Sequence, residues 1–148
     1  MKDVLDPPDI NLYGESVPGP DYEVILLNST EYILESGESV LGPDLPLQLF
    51  GHTVVGINET SSLIIGGAMK ANFTYYHGLD KTWIFDHVTE TFTEGPKLNV
   101  GRSHHSAGVI IDSDTNERTI VVTGGIEDST SFLNSTEILK GNYWEQGM

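Results

Sequence analysis

Short apolar stretches of the chain alternate with clusters of glycine, asparagine, aspartate and serine. The stretches are rich in valine, isoleucine and threonine, and none continues with the 3.6-residue period of an amphipathic helix. Stretches of this length and composition, bounded by turn-forming residues, are typical of β-strands. The clearest are HTVVGI (52–57), SLIIGG (62–67), HSAGVII (105–111), RTIVVTGG (118–125) and STEILK (135–140). The pattern predicts an all-β fold.

The sequence contains an internal repeat with a period of about 50 residues. The pentapeptide LNSTE occurs at 27–31 and again at 133–137, and LDKTW at 79–83 lies midway between the two copies. Gly-Pro follows the first two of these segments, at 42–43 and 95–96. These landmarks keep one period, so the repeat is not a chance match.

Two further landmarks keep the same period. Phe92 and Trp144 each stand three positions before a glycine, and His52 and His104 are 52 positions apart, so we interpret the two histidines as equivalent. The Gly-Gly pairs are 58 positions apart because the second unit has a longer polar turn, DSDTNE at 112–117. Length changes in a polar turn are expected where paired strands are joined.

One repeat unit contains four predicted strands. The first follows the histidine, the second ends in Gly-Gly, the third follows a Leu-x-x-Thr pattern, and the fourth carries the aromatic residue before Gly-Pro. Joined by hairpins, they form an antiparallel sheet that cannot bury both faces by itself. The near-continuous apolar Gly-Gly strands indicate that successive sheets cover each other, and radial stacking of such sheets makes a β-propeller.

The combined motif resembles the kelch repeat. The fullest copy, GPKLNVGRSHHSAGVIIDSDTNERTIVVTGGIEDSTSFLNSTEILKGNYWEQG, spans 95–147, and the resemblance covers roughly 27–148. The first copy departs from the pattern: Ser39 stands where the fourth-strand aromatic residue belongs, and Phe50-Gly51-His52 lacks an arginine like Arg102. The resemblance implies a kelch-type propeller built from four-stranded antiparallel blades.

The repeat also suggests a domain organisation. We divide the chain into a Pro/Gly/Asp-rich leader (1–20) and a repeat segment made of the second half of a blade (21–49) and two blades (50–97 and 98–148). Propellers close with about 4 to 8 blades, so we expect a fragment of a larger ring. Open stacking surfaces around Trp83, Phe92 and Trp144 would then favour self-association.

Composition excludes several classes of protein. Seven basic and 22 acidic residues give a formal charge of −15, which repels the phosphate backbone of nucleic acids. The chain has no run of 18 or more apolar residues and no apolar secretory signal at its start, so we expect no membrane insertion. Cysteine is absent, which leaves no disulfide framework and no thiol chemistry.

Several residues have predicted structural roles. Glycines 66, 67, 124 and 125 are expected to permit positive φ at the ends of strands. Glu31 and Glu137 interrupt apolar strands, so we expect them to accept hydrogen bonds from loop backbone or from an arginine such as Arg102. For Arg102 the alternative is partner binding. His52 and His104 are expected to be hydrogen-bonded repeat residues and not metal ligands, because the adjacent His104 and His105 point to opposite faces of a strand.

No catalytic motif was found. The sequence has no G-x-S-x-G, no H-E-x-x-H and no G-x-G-x-x-G pattern, and it suggests no cofactor and no metal. We therefore expect a protein that binds an unknown protein or peptide and is not an enzyme. Fold does not fix function, so two alternatives stay open: part of a kelch-like propeller enzyme of the oxidase or sugar isomerase type, or the propeller of a ubiquitin ligase adaptor.

The kelch resemblance implies that loops at one end of the blades bind the partner. Here that end would carry the segments that follow Gly-Gly and Gly-Pro. Aromatic loop residues are typical interaction hot spots, which makes Phe73, Tyr75 and Tyr76 the predicted partner-binding residues, together with Arg102. The alternative for the three aromatic residues is packing of a long loop onto its own blade.

Four Asn-x-Ser/Thr sequons are candidate N-glycosylation sites: Asn28, Asn58, Asn72 and Asn134. Asn28 and Asn134 belong to the repeated LNSTE segment, so only Asn58 and Asn72 are independent indications of secretion. The sequence leaves an extracellular and a cytoplasmic location open.

Overall fold

The computed structural model describes residues 27–70 and 76–147, and β-strands make up all of their regular secondary structure. The predicted leader and the rest of the chain before Leu27 lie outside the described residues. The strands are β1 (Glu31–Ile33), β2 (Ser39–Leu41), β3 (Thr53–Asn58), β4 (Ser61–Ile65), β5 (Ala68–Lys70), β6 (Tyr76–Gly78), β7 (Thr82–Asp86), β8 (Thr91–Glu94), β9 (Ser106–Ile111), β10 (Arg118–Thr123), β11 (Ile126–Asp128), β12 (Ser131–Phe132), β13 (Thr136–Lys140) and β14 (Tyr143–Gln146).

The strands form the repeated antiparallel sheets that the sequence predicts. Blade A has the strand order β3-β4-β7-β8, and blade B has the equivalent order β9-β10-β13-β14. The half-sheet, β1-β2, contains the counterparts of the third and fourth strands of a blade. The all-β class and the four-stranded antiparallel blades are therefore confirmed.

A fourth sheet lies across the end of the blades, where the sequence suggested only loops. This end sheet has the order β12-β11-β6-β5, so two hairpins, each following one Gly-Gly pair, join side by side. Asp128 of β11 pairs with His77 of β6 at the junction. The end sheet thus links the outgoing segments of blades A and B.

Blades A and B bury a shared apolar core. Val55, Leu63 and Ile65 of blade A face Val122 and Trp144 of blade B, and all five are buried. The indole Nε1 of Trp144 donates a hydrogen bond to the carbonyl oxygen of Pro96 at 2.9 Å, which satisfies its polar edge. Trp144 therefore packs between adjacent blades.

A second core lies between blade A and the half-sheet. Leu49, Ile64, Trp83 and Phe85 are buried there, and Phe92 packs against them. The rings of Phe85 and Phe92 stack with centroids 4.7 Å apart. The expected open surface around Trp83 and Trp144 is wrong, because only 3% and 4% of these residues are exposed. Each tryptophan is covered by the preceding sheet, and the larger exposed apolar residues lie elsewhere.

The central strands show how far each blade is covered. In β4, Leu63, Ile64 and Ile65 are all buried, which requires a neighbour on both faces. In β10, Ile120 and Val122 are buried but Val121 between them is only half-buried. Blade A is thus stacked on two sides, and blade B on one side among the described residues.

The Gly-Gly pairs have the positive φ values that the sequence predicts. Gly66 and Gly67 have φ of 58° and 96°, and Gly124 and Gly125 have 66° and 99°. A Cβ on Gly125 would lie 2.6 Å from the carbonyl oxygen of Ser103. Backbone from the start of the blade therefore crosses close over the end of its second strand, and only glycine leaves room for it.

Aspartate side chains shape the exposed hairpin turns. In the predicted DSDTNE turn, Asp112 Oδ1 accepts hydrogen bonds from the N–H groups of Asp114 and Thr115 at 2.9 and 2.8 Å. Asp86 and Asp128 make the same type of turn after β7 and β11. Backbone N–H donors lower the pKa of each of these carboxyl groups, because they stabilise the ionised form.

The strand registers show which histidines are equivalent in blades A and B, and they differ from the interpretation based on the sequence. Thr53 pairs with Ile65 in blade A and Ser106 pairs with Thr123 in blade B, so the first strands are related by an offset of 53 residues. His52 is therefore equivalent to His105, and His104 is equivalent to Gly51. The expectation that His52 and His104 are equivalent is wrong, because it rested on their spacing of 52 residues, whereas the strand registers differ by 53.

Candidate functional site

The segments that follow Gly-Gly and those that follow Gly-Pro meet at one end of the blades. Phe50 pairs with Ala68 at the edge of the end sheet, Ser103 pairs with Ile126, and Leu79 with Arg102. One member of each pair, Phe50, Ser103 or Arg102, lies in a segment that leads into the first strand of a blade. The other member lies in the end sheet or, for Leu79, directly after β6. These contacts place residues that are distant in the sequence on one surface.

Three rings form a cluster on this surface, defined here as the end cluster: Phe50, Tyr76 and His104. The ring centroids of Phe50 and Tyr76 are 5.4 Å apart with an interplanar angle of 76°, an edge-to-face contact. His104 lies 5.7 Å from Phe50 and 6.4 Å from Tyr76. Edge-to-face packing of this kind stabilises aromatic pairs beyond their burial. Phe50 and Tyr76 are half-buried and His104 is exposed, so the cluster is ordered by packing and still reaches solvent.

An unusual backbone conformation holds His104 in this position. Its φ is 52°, in the left-handed region, and the equivalent Gly51 has φ of 64°. The N–H of His104 donates to the carbonyl oxygen of Gly51 at 2.7 Å, which joins the two equivalent positions directly. Its Nδ1 lies 3.2 Å from Ser103 Oγ. A left-handed residue other than glycine stores conformational strain, and such strain is concentrated at functional sites.

The end sheet contributes further exposed side chains beside the cluster. Met69 and His77 are directly opposite in the β5–β6 register, so both side chains lie on the same face. Met69 is 40% exposed and Phe132 on β12 is 82% exposed. Apolar, aromatic and imidazole groups are therefore presented together at this end of the blades.

Arg102 lies beneath this surface and has no solvent exposure. Its Nη2 forms an ion pair with Glu137 Oε1 at 2.8 Å, and both side chains are completely buried. Its Nη1 donates to the carbonyl oxygens of Gly124 and Ser135 at 2.9 and 3.1 Å. The guanidinium thus ties the Gly-Gly end of β10 to the start of β13, and this geometry gives Arg102 the structural role.

Glu137 is satisfied by backbone as well as by Arg102. Its Oε2 accepts from the backbone N–H of Asn99 at 2.7 Å, and its Oε1 accepts from the N–H of Val100 at 3.1 Å. Glu137 was expected to accept hydrogen bonds from loop backbone or from an arginine such as Arg102, and it accepts from both. For Glu31, the described residues provide no hydrogen-bond or ion-pair partner.

His52 and its equivalent His105 are both buried, but they differ in their hydrogen-bond partners. His105 Nε2 lies 2.8 Å from Thr53 Oγ1 of the preceding blade, whereas neither ring nitrogen of His52 has a hydrogen-bond partner in the part of the chain that the structure describes. Burial lowers the pKa of His52 to about 4. Burial also lowers the pKa of His105 to about 4, with a smaller contribution from the positive charge of Arg102. The predicted hydrogen bonding of His52 is therefore not seen among the described residues.

The structure brings one of the predicted partner-binding residues to the surface in a defined environment. Tyr76 is part of the end cluster, whereas Phe73 and Tyr75 lie outside the described residues. Arg102 is buried in the ion pair, so direct contact with a partner would require that network to open. Sequence reasoning missed Phe50 and His104 as surface residues of this site. Aligning the two Gly-Pro segments at an offset of 53 would have placed both in the segments that lead into a first strand.

The sequons occupy different environments. Asn58 and Asn134 are exposed, Asn28 is half-buried, and Asn72 lies outside the described residues. Asn58 Oδ1 accepts hydrogen bonds from the N–H and the hydroxyl of Thr60 at 2.9 and 3.1 Å, so this sequon forms a tight turn between β3 and β4. Use of these sites as glycan acceptors stays a prediction.

Two further properties of the described residues concern metal ions and membranes. Across 27–70 and 76–147, no group of three or more histidine, aspartate or glutamate side chains is placed to hold a metal ion. The same residues contain no helix of the length and hydropathy needed to cross a bilayer.

Comparison with known proteins relates the chain to a propeller by structure alone. No model of a protein family matches the sequence, and no curated protein matches it. Among solved structures, that of YjhT is similar to this chain, with a TM-score of 0.62 and 10% sequence identity. The match covers 81% of this chain and 45% of that one, so the chain spans less than half the length of YjhT. At this identity the likeness shows the fold alone, which is a β-propeller-type arrangement of blades.

Proposed function

We propose that the chain is a kelch-type protein-interaction module that binds a protein or peptide through the end of its blades, without a chemical step. The observation that carries the proposal is the end cluster of Phe50, Tyr76 and His104. Its rings come from three separate segments of the chain, and they pack against each other while remaining in contact with solvent. Preordered aromatic groups lose little conformational entropy when a partner binds.

The surroundings of the cluster support a binding surface. The left-handed backbone of His104 costs conformational energy, whereas the equivalent residue of blade A, Gly51, adopts the same conformation without strain. The fold alone would therefore favour glycine at position 104, and a histidine there indicates another role. Met69 and Phe132 add exposed apolar area on the neighbouring end sheet. An aromatic centre with apolar and polar neighbours is the composition of interaction hot spots.

A matched pair of tyrosine variants tests the proposal. Peptides selected on the full chain from a random display library are measured by calorimetry against the wild type, Tyr76→Ala and Tyr143→Ala. Tyr143 is 58% exposed on β14, away from the end cluster, and so is the control for loss of an exposed tyrosine. We expect Tyr76→Ala to weaken binding by about tenfold or more, as for a hot-spot residue, and Tyr143→Ala to leave it unchanged.

The affinities of the two tyrosine variants distinguish binding at the end cluster from binding elsewhere. Equal affinity for the wild type and Tyr76→Ala would place the peptide site elsewhere and overturn the proposal. The same would follow if both tyrosine variants lost affinity equally, because the effect would then not be specific to the cluster. Circular dichroism of each variant shows whether the fold is retained.

A further inference from the structure

Among the described residues, the edge of the half-sheet lacks a partner strand that both complete blades have. In blades A and B the third strand lies between two neighbours: β7 between β4 and β8, and β13 between β10 and β14. Their counterpart β1 pairs with β2 alone among the described residues. The backbone of Glu31–Ile33 therefore presents one edge to which a further antiparallel strand can add.

Glu31 stands at this edge without the partners of its repeat equivalent. Glu31 and Glu137 end two identical LNSTE segments, 106 residues apart. Glu137 is completely buried and binds Arg102 and two backbone N–H groups of the segment leading into β9. Glu31 is exposed, and no described residue makes an ion pair or hydrogen bond with it. The equivalence indicates that an arginine and the backbone next to it fit at Glu31.

His52 lacks the partner that its equivalent finds in the preceding sheet. His105 of blade B binds the hydroxyl of Thr53, the first residue of the first strand in blade A. The sheet before blade A is the half-sheet, whose described strands include no first strand. His52 is only 2% exposed, and no described residue forms a hydrogen bond with either of its ring nitrogens. Such an unsatisfied buried imidazole is costly, which indicates a hydroxyl group from outside the described residues.

The missing strand, the missing arginine and the missing hydroxyl group would all come from the same part of a blade. The strand that would pair with β1 and the hydroxyl that would bind His52 belong to the first two strands of a blade, and the arginine that would bind Glu31 belongs to the segment leading into them. In blade B these elements lie on one hairpin, β9–β10, with Arg102 four positions before Ser106, the equivalent of Thr53. The residues before Leu27 contain no arginine and no Gly-Gly, so they do not have this pattern.

We propose that the β1 edge, Glu31 and His52 form a docking site for a β-hairpin of a second polypeptide segment. The hairpin has an arginine that pairs with Glu31, a serine or threonine four positions later that binds His52, and a second strand that pairs with β1 and ends in Gly-Gly. A second intact copy of this chain does not supply it, because its own Arg102 hairpin is engaged with its own Glu137. The proposal uses residues other than the end cluster and is independent of the proposed function.

A synthetic peptide with the sequence of 97–125 is the probe, because it contains the hairpin with Arg102 and Ser106. Its binding to the full chain is measured by calorimetry for the wild type, Glu31→Gln and Glu35→Gln. Glu35 is an exposed acid in the turn after β1 and provides the control for loss of one negative charge. We expect saturable binding that Glu31→Gln weakens on the order of tenfold or more, since a charged hydrogen-bonded partner is lost. Glu35→Gln should leave the affinity unchanged.

Substitutions in the peptide test the residues that are proposed to contact Glu31 and His52. Arg102→Leu in the peptide should weaken binding to the wild type and lose its effect in Glu31→Gln. Nitrogen NMR of the His52 ring should change on peptide binding, and Ser106→Ala in the peptide should remove that change. Absence of saturable binding would overturn the proposal. Binding that is insensitive to Glu31→Gln would also overturn it, because the peptide would then have exchanged with the chain's own blade B hairpin.

Discussion

Arg102 and Glu137 form an ion pair with no solvent exposure, and the equivalent positions of the preceding blade are occupied by Leu49 and Trp83. Both members of the pair change together between the blades. Pro46, which has no N–H, stands at the position of Asn99, whose N–H binds Glu137 in blade B. One backbone arrangement is thus stabilised by a charged network in one blade and by apolar packing in the other.

Removal of one member of the ion pair should be strongly destabilising. Arg102→Leu leaves the buried Glu137 carboxylate without its counter-ion, and we expect the free energy of unfolding to fall by about 3 to 5 kcal/mol. Arg118→Leu, which changes an exposed arginine, is the control and should have little effect. Urea denaturation followed by tryptophan fluorescence measures both.

The double variant Arg102→Leu/Glu137→Trp copies the pair found in blade A. It should recover part of the loss, because no unpaired charge is left buried. Recovery should be incomplete, since the N–H groups of Asn99 and Val100 still lose their acceptor. A double variant less stable than Arg102→Leu would show that blade B cannot accommodate the apolar pair.

Stability should fall as the pH decreases below about 6.5. The pKa values of His52 and His105 are about 4 in the folded chain and about 6.5 in the unfolded chain. The unfolded state therefore binds more protons between these values, and stability is lost as the pH falls through this window. Each histidine contributes on the order of 3 kcal/mol over the full window.

Free energies of unfolding measured from pH 8 to pH 5 test this dependence. Between pH 8 and 7 both histidines are neutral in the folded chain and mostly neutral in the unfolded chain, so that interval is the internal control. His52→Leu should reduce the loss of stability below pH 6.5 and should also remove two unsatisfied buried nitrogen atoms. An unchanged pH dependence in this variant would show that His52 does not titrate as its burial implies.

Alanine substitutions at two glycines distinguish the cost of backbone strain from the cost of steric crowding. Gly125 and Gly141 both have positive φ, 99° and 63°, but only Gly125 has backbone within contact distance of an added Cβ. Gly141→Ala should cost roughly 1 to 2 kcal/mol, the cost of a left-handed alanine. Gly125→Ala should cost clearly more, because the crossing backbone of Ser103 must move. Equal losses in thermal denaturation would contradict the close approach at Gly125.

The outer face of blade B should promote self-association. Ile110 is 58% exposed there, whereas its repeat equivalent Ile57 packs into the core between blades A and B. Light scattering should show association that increases with salt, because screening weakens the repulsion of a net charge of −15. Ile110→Lys should reduce association, and Val88→Lys, at an exposed hairpin turn, should reduce it less.

Exposure predicts which sequons are modified if the chain passes through the secretory pathway. Asn58 and Asn134 are exposed and should be occupied more fully than Asn28, which is half-buried and whose carbonyl oxygen binds the N–H of Leu45 at 2.6 Å. Mass spectrometry of glycopeptides measures occupancy. Thr60→Ala, which removes the Asn58 sequon, is the control, and full occupancy of Asn28 with unmodified Asn58 would contradict the expectation.

The sequence by itself determined the blades, because their strands depend on local patterns. Short β-branched runs, turn-forming residues and a repeat period predicted four strands per unit, and the positive φ of Gly66 and Gly125 followed from the Gly-Gly motif. The acceptor role of Glu137 was also predictable, since an acid in an apolar strand requires donors. These features require knowledge of one unit only.

The tertiary structure decided what depends on contacts between units. The end sheet forms because two hairpins lie side by side, and pairing between distant segments has no local signature in the sequence. The correct equivalence of His52 with His105, and hence the exposure of His104, depended on strand register, which a shift of one residue reverses. The end cluster likewise unites Phe50, Tyr76 and His104 only because neighbouring blades bring three separate segments to one surface.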